Sequence, residues 1–293
     1  KFSKKWSIGS KTKKFNSFEI TKNNIFIGND DGSIGVYDQN STKNELKPTL
    51  KNYLDHHSDR ISKLSSFSPK TFVSASHDNS IAIWDKSDKF DLRKSLKPHS
   101  DKITGLSIQP MRRHFATCSY DKTWAFIDLE YAKKLRNSEK QESELICISF
   151  HPDGLIFGAG SNGGALKMWD IKSQSDVATF EHGKTSVTAI AFSENGYYLA
   201  SGGSDGVVRL WDLRKSDTIA KLPKLSSAVD DVVFDPFGGY LAVCGDFGLS
   251  LYTSKKWESV KNLNKKGAIA INFDEDRLTA IQKNGSGLIS YAV

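Results

Sequence analysis

The sequence predicts an all-β protein, a seven-bladed propeller of four-stranded blades, and three observations predict it. First, five strings end alike: Val36-Tyr37-Asp38, Ile83-Trp84-Asp85, Phe126-Ile127-Asp128, Met168-Trp169-Asp170 and Leu210-Trp211-Asp212. Two weaker copies follow, Leu251-Tyr252-Thr253 and Ser290-Tyr291-Ala292. Their central residues are 47, 43, 42, 42, 41 and 39 positions apart. A period near forty is that of a propeller blade. Second, seven such periods use the whole 293-residue length. Third, the runs between these strings are short, apolar and β-branched, and are bounded by Gly, Asn, Asp and Ser.

The repeat from His182 to Asp212 gives the elements in order. Val187-Thr-Ala-Ile-Ala-Phe192 reads as the first strand. Ser193-Glu-Asn-Gly196 turns the chain, with Asn-Gly supplying φ > 0 positions. Tyr197–Ser201 is the second strand, Gly202–Gly206 the next turn and Val207–Trp211 the third strand. Thr218–Leu222 is an outer fourth strand. The chain's last repeat, Gly287–Val293, reaches only a third strand. Lys5–Gly9 precedes the first blade and is predicted to supply the missing fourth, which also covers a sheet edge.

The repeats resemble the WD-repeat family. In that family a His, a Ser or Thr, an Asp and the Trp of each blade form a hydrogen-bonded tetrad. The resemblance implies His57, Ser74, Asp78 and Trp84 in the second blade, and His182, Ser201, Asp205 and Trp211 in the fifth. In the third it implies His99, Thr117 and Asp121, with Ile127 in place of Trp. The fourth keeps Trp169 but has Gly163 at the Asp position, and the sixth keeps Asp246 with Tyr252. A buried Trp N–H and a buried Asp each need a partner, and the tetrad supplies them. His, Asp and Ser together resemble a hydrolase triad only superficially. The Ser lies on a strand rather than on a Gly-x-Ser-x-Gly elbow, and the trio recurs at the period of the fold.

Composition excludes several functions. Charged residues are 26% and hydrophobic residues 38%, ordinary for a globular protein. No apolar run approaches the ~18 residues of a membrane span, so no membrane partner is expected. There is no Walker loop, zinc cluster or nucleophile motif, and no cofactor or metal is expected. His56-His57 has no further ligands at zinc spacing. Cys118, Cys147 and Cys244 read as small buried hydrophobes of a reducing compartment. In that setting the sequon Asn40-Ser41-Thr42 carries no meaning. Asp274-Glu275-Asp276 reads as a solvated turn. The start, Lys1-Phe2-Ser3-Lys4-Lys5-Trp6, lacks Met and a signal-peptide core, which reads as a fragment or processed form.

The net charge of +7 is concentrated. Lys1, Lys4, Lys5, Lys11, Lys13 and Lys14 precede any acid, and Lys255, Lys256, Lys261, Lys265 and Lys266 form a second group. Solvated lysines are one reading; a footprint for RNA or an acidic partner is the other. Closure by both ends predicts that the two groups approach beside blades six and seven. A partner-binding rim is predicted at the residue preceding each tetrad Asp or its equivalent: Asp30, His77, Tyr120, Asn162, Ser204, Gly245 and Asn284. Arg60 and Lys102 extend it. Tyr, Arg and His are residue types that anchor interfaces. The opposite face carries Arg112, Arg113 and Phe237.

Three stretches resemble a narrower family. They are His151–Gly158, Ile190–Ala200 continued by Val208–Lys215, and Gly238–Ala242 with Lys255-Lys256-Trp257. Over about residues 145–260 they are similar to the C-terminal propeller of the pre-mRNA-processing factor nineteen family, the core of the spliceosomal Nineteen Complex. Gln109-Pro-Met-Arg-Arg-His114, where blade four has His151-Pro-Asp-Gly154, departs from that pattern. So does the lost Asp of blade four, and the chain reads as a divergent member. The resemblance implies a nuclear scaffold for mRNA splicing and DNA repair that recruits partners to a U-box E3 ubiquitin ligase. It implies an RNA-binding zinc-finger splicing factor among those partners, and a homotetramer formed through a coiled coil. Neither the U-box nor the coiled coil is expected within residues 1–293, which read as one propeller, so no enzyme activity is expected of this chain. The competing expectations are a scaffold of another complex, such as a cullin-ligase receptor or histone binder, and a propeller enzyme with carboxylates, histidines or metal ligands in its channel.

Overall fold

The computed structural model describes residues 3–10, 12–39, 48–68, 71–85, 90–173, 175–215, 217–264, 267–274, 277–282 and 287–292. Among the described residues, twenty-eight strands form seven four-stranded antiparallel sheets. After β1 (Ser3–Gly9), blade 1 is β2 (Phe15–Ile20), β3 (Asn24–Asn29), β4 (Ile34–Asp38) and β5 (Thr49–Leu54). Blade 2 is β6 (Ile61–Ser68), β7 (Thr71–Ser76), β8 (Ile81–Asp85) and β9 (Asp91–Leu96). Blade 3 is β10 (Ile103–Ile108), β11 (His114–Ser119), β12 (Trp124–Asp128) and β13 (Lys133–Asn137). Blade 4 is β14 (Leu145–Phe150), β15 (Ile156–Ser161), β16 (Ala165–Asp170) and β17 (Asp176–Glu181). Blade 5 is β18 (Val187–Phe192), β19 (Tyr198–Gly203), β20 (Val208–Asp212) and β21 (Asp217–Lys221). Blade 6 is β22 (Val229–Phe234), β23 (Tyr240–Gly245), β24 (Gly248–Thr253) and β25 (Ser259–Asn264). Blade 7 is β26 (Ala268–Asp274), β27 (Arg277–Gln282) and β28 (Gly287–Ala292), with β1 as its outer strand.

The closure expected from Lys5–Gly9 is present and longer. β1 pairs antiparallel with β28 from Ser3↔Ala292 to Gly9↔Gly287. A blade is apolar on both faces and buries each against a neighbour. The core is therefore not one mass but seven clusters, one at every blade–blade interface. Val73, Ile81 and Ile83 of blade 2 meet Phe115 and Ile127 of blade 3. Ile8, Ile281 and Leu288 of blade 7 meet Phe15, Phe18 and Ile27 of blade 1. The outer strands are the polar ones, and β13, Lys133–Asn137, is exposed throughout.

A feature with no sequence signature recurs in every blade. The register between first and second strands shifts by one residue near the start of the first strand, as at Ile103/Gly105, Val187/Ala189 and Val229/Asp231. Such a bulge twists the strand locally. It lets inner strands bond across blades. Thr104 Oγ1 donates to Leu145 O at 2.8 Å, Thr188 Oγ1 to Val229 O at 2.5 Å, and Asp231 accepts from Ile271 N at 3.0 Å. Close approach also demands small residues. A Cβ on Gly202 would lie 2.4 Å from Val229 Cγ1, and one on Gly160 2.5 Å from Val187 Cγ1. At Asn195-Gly196 only Gly196 takes a positive φ, 72°, because the hairpin there is longer than a two-residue turn.

Removing residues 1–10 should strip the seventh sheet of its outer strand and take Ile8 from the core between blades 7 and 1. A marked fall in melting temperature by calorimetry is expected, with self-association at the bared β28 edge. An unchanged transition would show that β1 contributes nothing to closure.

Candidate interaction rim and the polar clusters beneath it

Two sets of loops meet on one face: those entering each inner strand and the turns between second and third strands. Backbone bonds tie them together. His77 N donates to Arg60 O (2.9 Å), Tyr120 N to Lys102 O (3.0 Å), Asn162 N to Glu144 O (2.8 Å) and Ser204 N to Ser186 O (3.0 Å). Asp30 N bonds Lys14 O likewise, and Asp30 reaches Arg60 of the next blade at 3.7 Å. Asp30, Arg60, His77, Lys102 and Tyr120 thus sit in equivalent loops of blades 1 to 3. Tyr120 is 41% exposed. Burial, then the Arg60 cation, holds the His77 imidazole below its ordinary value, so it is neutral near pH 7.

Further round the ring the rim is more polar. Ser186 Oγ bonds Asn162 Oδ1 at 2.5 Å and Ser204 Oγ accepts from Ser186 N at 3.1 Å. Gly245 offers only backbone there. Asn284 lies outside the described residues, as do Lys1, Lys11, Lys265, Lys266 and the sequon at 40–42. Lys13 is not free to serve a basic footprint, since it pairs with Asp31 and Ser33. On the opposite face Phe237 is 79% exposed. Arg112 is committed to the fold there, donating to Phe67 O of the neighbouring blade at 3.1 Å.

The polar clusters hold the rim turns from below. In blade 2, Trp84 Nε1 donates to Ser74 Oγ (2.9 Å), and Ser74 Oγ lies 2.8 Å from His57 Nε2. His57 Nδ1 lies 3.1 Å from Asp78 Oδ2. A carboxylate only accepts, so Nδ1 carries the proton and Ser74 donates to Nε2. Burial pushes the Asp78 carboxyl up, but bonds from Ser80, from the Ser58 N–H and from His57 outweigh it and hold the group low. In blade 3, His99 spans Asp121 (3.0 Å) and Thr117 (2.9 Å) in the same way, with Ile127 where Trp would be.

Blade 5 departs from the expected tetrad. Trp211 Nε1 donates to Ser201 Oγ (2.7 Å) and His182 Nε2 lies 2.6 Å from it. Asp205, however, does not bond His182. Arg209 stands between them, donating from Nη1 to His182 Nδ1 (3.0 Å) and from Nη2 to Asp205 Oδ2 (2.8 Å). Arginine has no acceptor, so His182 Nδ1 must accept and its proton sits on Nε2. The imidazole tautomer is opposite to that of His57. Burial, then the Arg209 cation, brings the His182 pKa down to about 4. The resemblance implies that Asp205 partners His182, but a long side chain on β20 reaches between the two.

These trios are structural. Ser74, Thr117 and Ser201 are wholly buried, and two of the three hydroxyls accept from an indole. Among the described residues no group of three His, Cys, Asp or Glu could hold a metal. Burial lifts the Cys118 thiol to about 12, which makes it a poor nucleophile.

Fold and repeat chemistry define a WD-repeat propeller. The WD domain, G-beta repeat family matches residues 48–85, 90–128, 133–170 and 174–212, just over half of the chain, and the chain belongs to that family. Within it, the chain is 37% identical over 135 residues to pre-mRNA-processing factor 19 of Oryza sativa subsp. japonica, covering 44% of this chain and 25% of the relative. It is 33% identical over 161 residues to pre-mRNA-processing factor 19 of Bos taurus, covering 54% and 31%. Autophagy-related protein 16 of Arabidopsis thaliana is 28% identical over 175 residues, covering 58% and 33%. The chain thus spans a third or less of the length of these curated relatives.

Two predictions follow from blade 5. Asp205→Ala should cost about 1–3 kcal/mol, because it leaves the Arg209 cation partly buried without its partner. In an Arg209→Met background the same change should cost far less, and a double-mutant cycle in urea measures the difference. Equal costs in both backgrounds would mean that Asp205 does not act through Arg209.

The second prediction concerns pH. Folded His182 protonates near 4, against an ordinary 6.5, so the unfolded chain takes up this proton first. The stability tied to neutral His182 is full above about 6.5 and lost as pH falls toward about 4. His57, also held low by burial, adds in the same direction. His182→Gln should flatten the fall in melting temperature between pH 6.5 and 4.5. An unaltered slope would reject the assignment.

Proposed function

We propose that this chain is the partner-docking propeller of a splicing scaffold, acting in the nucleus. Its role is to recruit spliceosomal proteins to a U-box E3 ubiquitin ligase whose catalytic module lies in another part of the assembled protein. The carrying observation is the similarity to pre-mRNA-processing factor 19 of rice and cattle, over more than 130 residues of a propeller whose trios are buried structural groups. A rigid ring that displays loops on two faces suits binding rather than chemistry. A role in DNA repair and membership of a homotetramer belong to the same reading. Partners include an RNA-binding zinc-finger splicing factor.

The contact residues we assign are Arg60, His77, Lys102 and Tyr120, with Asn162, Ser204 and Asn284 extending the rim. Arg60 and Tyr120 are the interface-anchoring types, and neutral His77 between them limits the local charge. A scaffold of another complex is the alternative reading, and the weaker likeness to autophagy-related protein 16 is what favours it.

Capture of splicing factors from nuclear extract by the immobilised chain tests both. Retention is expected at low salt, with loss of most binding on Tyr120→Ala. A contact anchored by Tyr120 should change little between 100 and 400 mM salt, roughly, whereas one made through lysines to RNA should weaken steeply. Capture of no splicing factor at low salt would overturn the platform reading. Capture unaffected by Tyr120→Ala would move the contact off this rim.

A further inference from the structure

Blade 4 retains the Trp of the polar cluster and none of its partners. The positions equivalent to His57, Ser74 and Asp78 are Gln141, Ala159 and Gly163. In the folded chain these three and Trp169 all line one cavity of about 110 Å³, together with Lys167 and Glu181. Gln141 does not refill the space. Its amide is turned to Glu139 O (3.1 Å) and to Lys167 Nζ (3.2 Å). The turn that an Asp would hold is held instead by Ser143, whose Oγ accepts from Gly163 N at 3.0 Å. Ala159 denies Trp169 the hydroxyl that Ser74 gives Trp84.

A larger groove of about 530 Å³ adjoins this cavity on the flank between blades 3 and 4. Gln141, Glu142, Lys167 and Trp169 line both. Trp124 lines the groove. It is 5% exposed, and its Nε1 is buried with no hydrogen-bond partner among the described residues. Its ring lies 6.0 Å from that of Trp169. A buried indole N–H without an acceptor costs free energy, and sites that tolerate one are candidates for a missing partner. The surroundings decide the partner's charge. Glu139, Glu142, Asp176 and Glu181 face two lysines, Lys140 and Lys167, and Lys167 is already held by Gln141.

We propose that this flank groove binds a short cationic segment of a partner protein. A main-chain carbonyl of the segment accepts from the Trp124 or Trp169 indole. Its Lys or Arg side chains pair with Glu139, Glu142, Asp176 and Glu181. An anionic acceptor would satisfy the Trp124 indole but would meet the four carboxylates, so a neutral carbonyl on a cationic chain fits both halves of the site. The site is separate from the rim proposed above and does not depend on it.

The test uses the 293-residue chain labelled with ¹⁵N. Its indole N–H signals are assigned with Trp124→Phe and Trp169→Phe. Acetyl-Gly-Lys-Gly-Arg-Gly-amide should shift the Trp124 or Trp169 signal saturably, and the same peptide with Glu at both charged positions should not. Restoring the cluster with Gln141→His, Ala159→Ser and Gly163→Asp should fill the cavity and weaken the peptide at least about tenfold. The surface pair Glu142→Gln and Glu181→Gln should weaken it as well, which keeps the test usable if the triple variant fails to fold. The proposal is overturned if neither indole signal moves, which would mean water alone occupies the space. It is equally overturned if the acidic peptide binds as well, or if the Gln pair leaves binding unchanged. Splicing-factor capture by the Gln pair distinguishes the two readings: capture retained with peptide binding lost would leave the rim standing alone.

Discussion

The antiparallel pair of β1 with β28 is the constraint on which the ring depends. Among the described residues all other strand pairs join neighbours in sequence, whereas this one closes a loop of nearly the whole chain. Loop-closure entropy rises only with the logarithm of length, so the long loop adds little beyond a shorter one. What closure secures is larger. It places Ile8 in the cluster between blades 7 and 1 and covers the outer edge of the seventh sheet. In a ring every interface has two flanking blades that resist its opening. An open stack would leave two apolar blade faces exposed to water.

Within that frame, the polar cluster is a local device that each blade solves separately. Blade 2 has the full Trp–Ser–His–Asp chain; blade 3 lacks the Trp; blade 5 inserts Arg209 and reverses the imidazole tautomer. Blade 1 has Lys13 against Asp31, and blade 4 has only Trp169. The same job, holding a rim turn against an inner strand, is done by ion pair, hydroxyl or histidine. Apolar packing between blades supplies most of the cohesion, so a single cluster can be eroded. In blade 4 the missing partners leave a cavity lined by Trp169, beside a groove lined by both Trp124 and Trp169.

The rim and the flank differ in chemistry. At the rim, loops of blades 1 to 3 present Asp30, Arg60, His77, Lys102 and Tyr120 side by side in a mixed-charge strip. At the flank, carboxylates surround two buried indoles. Mixed charge with an exposed aromatic suits a protein surface, while an acidic groove selects cations. The two surfaces therefore suit different ligands.

The sequence by itself determined the blade count, the strand order and the closure. The reason is that a forty-residue period, apolar runs and turn residues are local properties, and the period survives even where single copies are weak. The resemblance to WD repeats further implied a cluster of His57, Ser74 and Asp78, and these three side chains are hydrogen-bonded together. Only the tertiary structure decided what depends on reach and on neighbours. The inner-strand bulges came from blade-to-blade packing, and no residue type marks them. Arg209 displaced Asp205 from His182 because a long side chain two residues from Trp211 happens to span that gap. The cavity beside Trp169 exists because Gln141, Ala159 and Gly163, far apart in sequence, vacate a single volume, and a volume is a property of the fold rather than of any one residue.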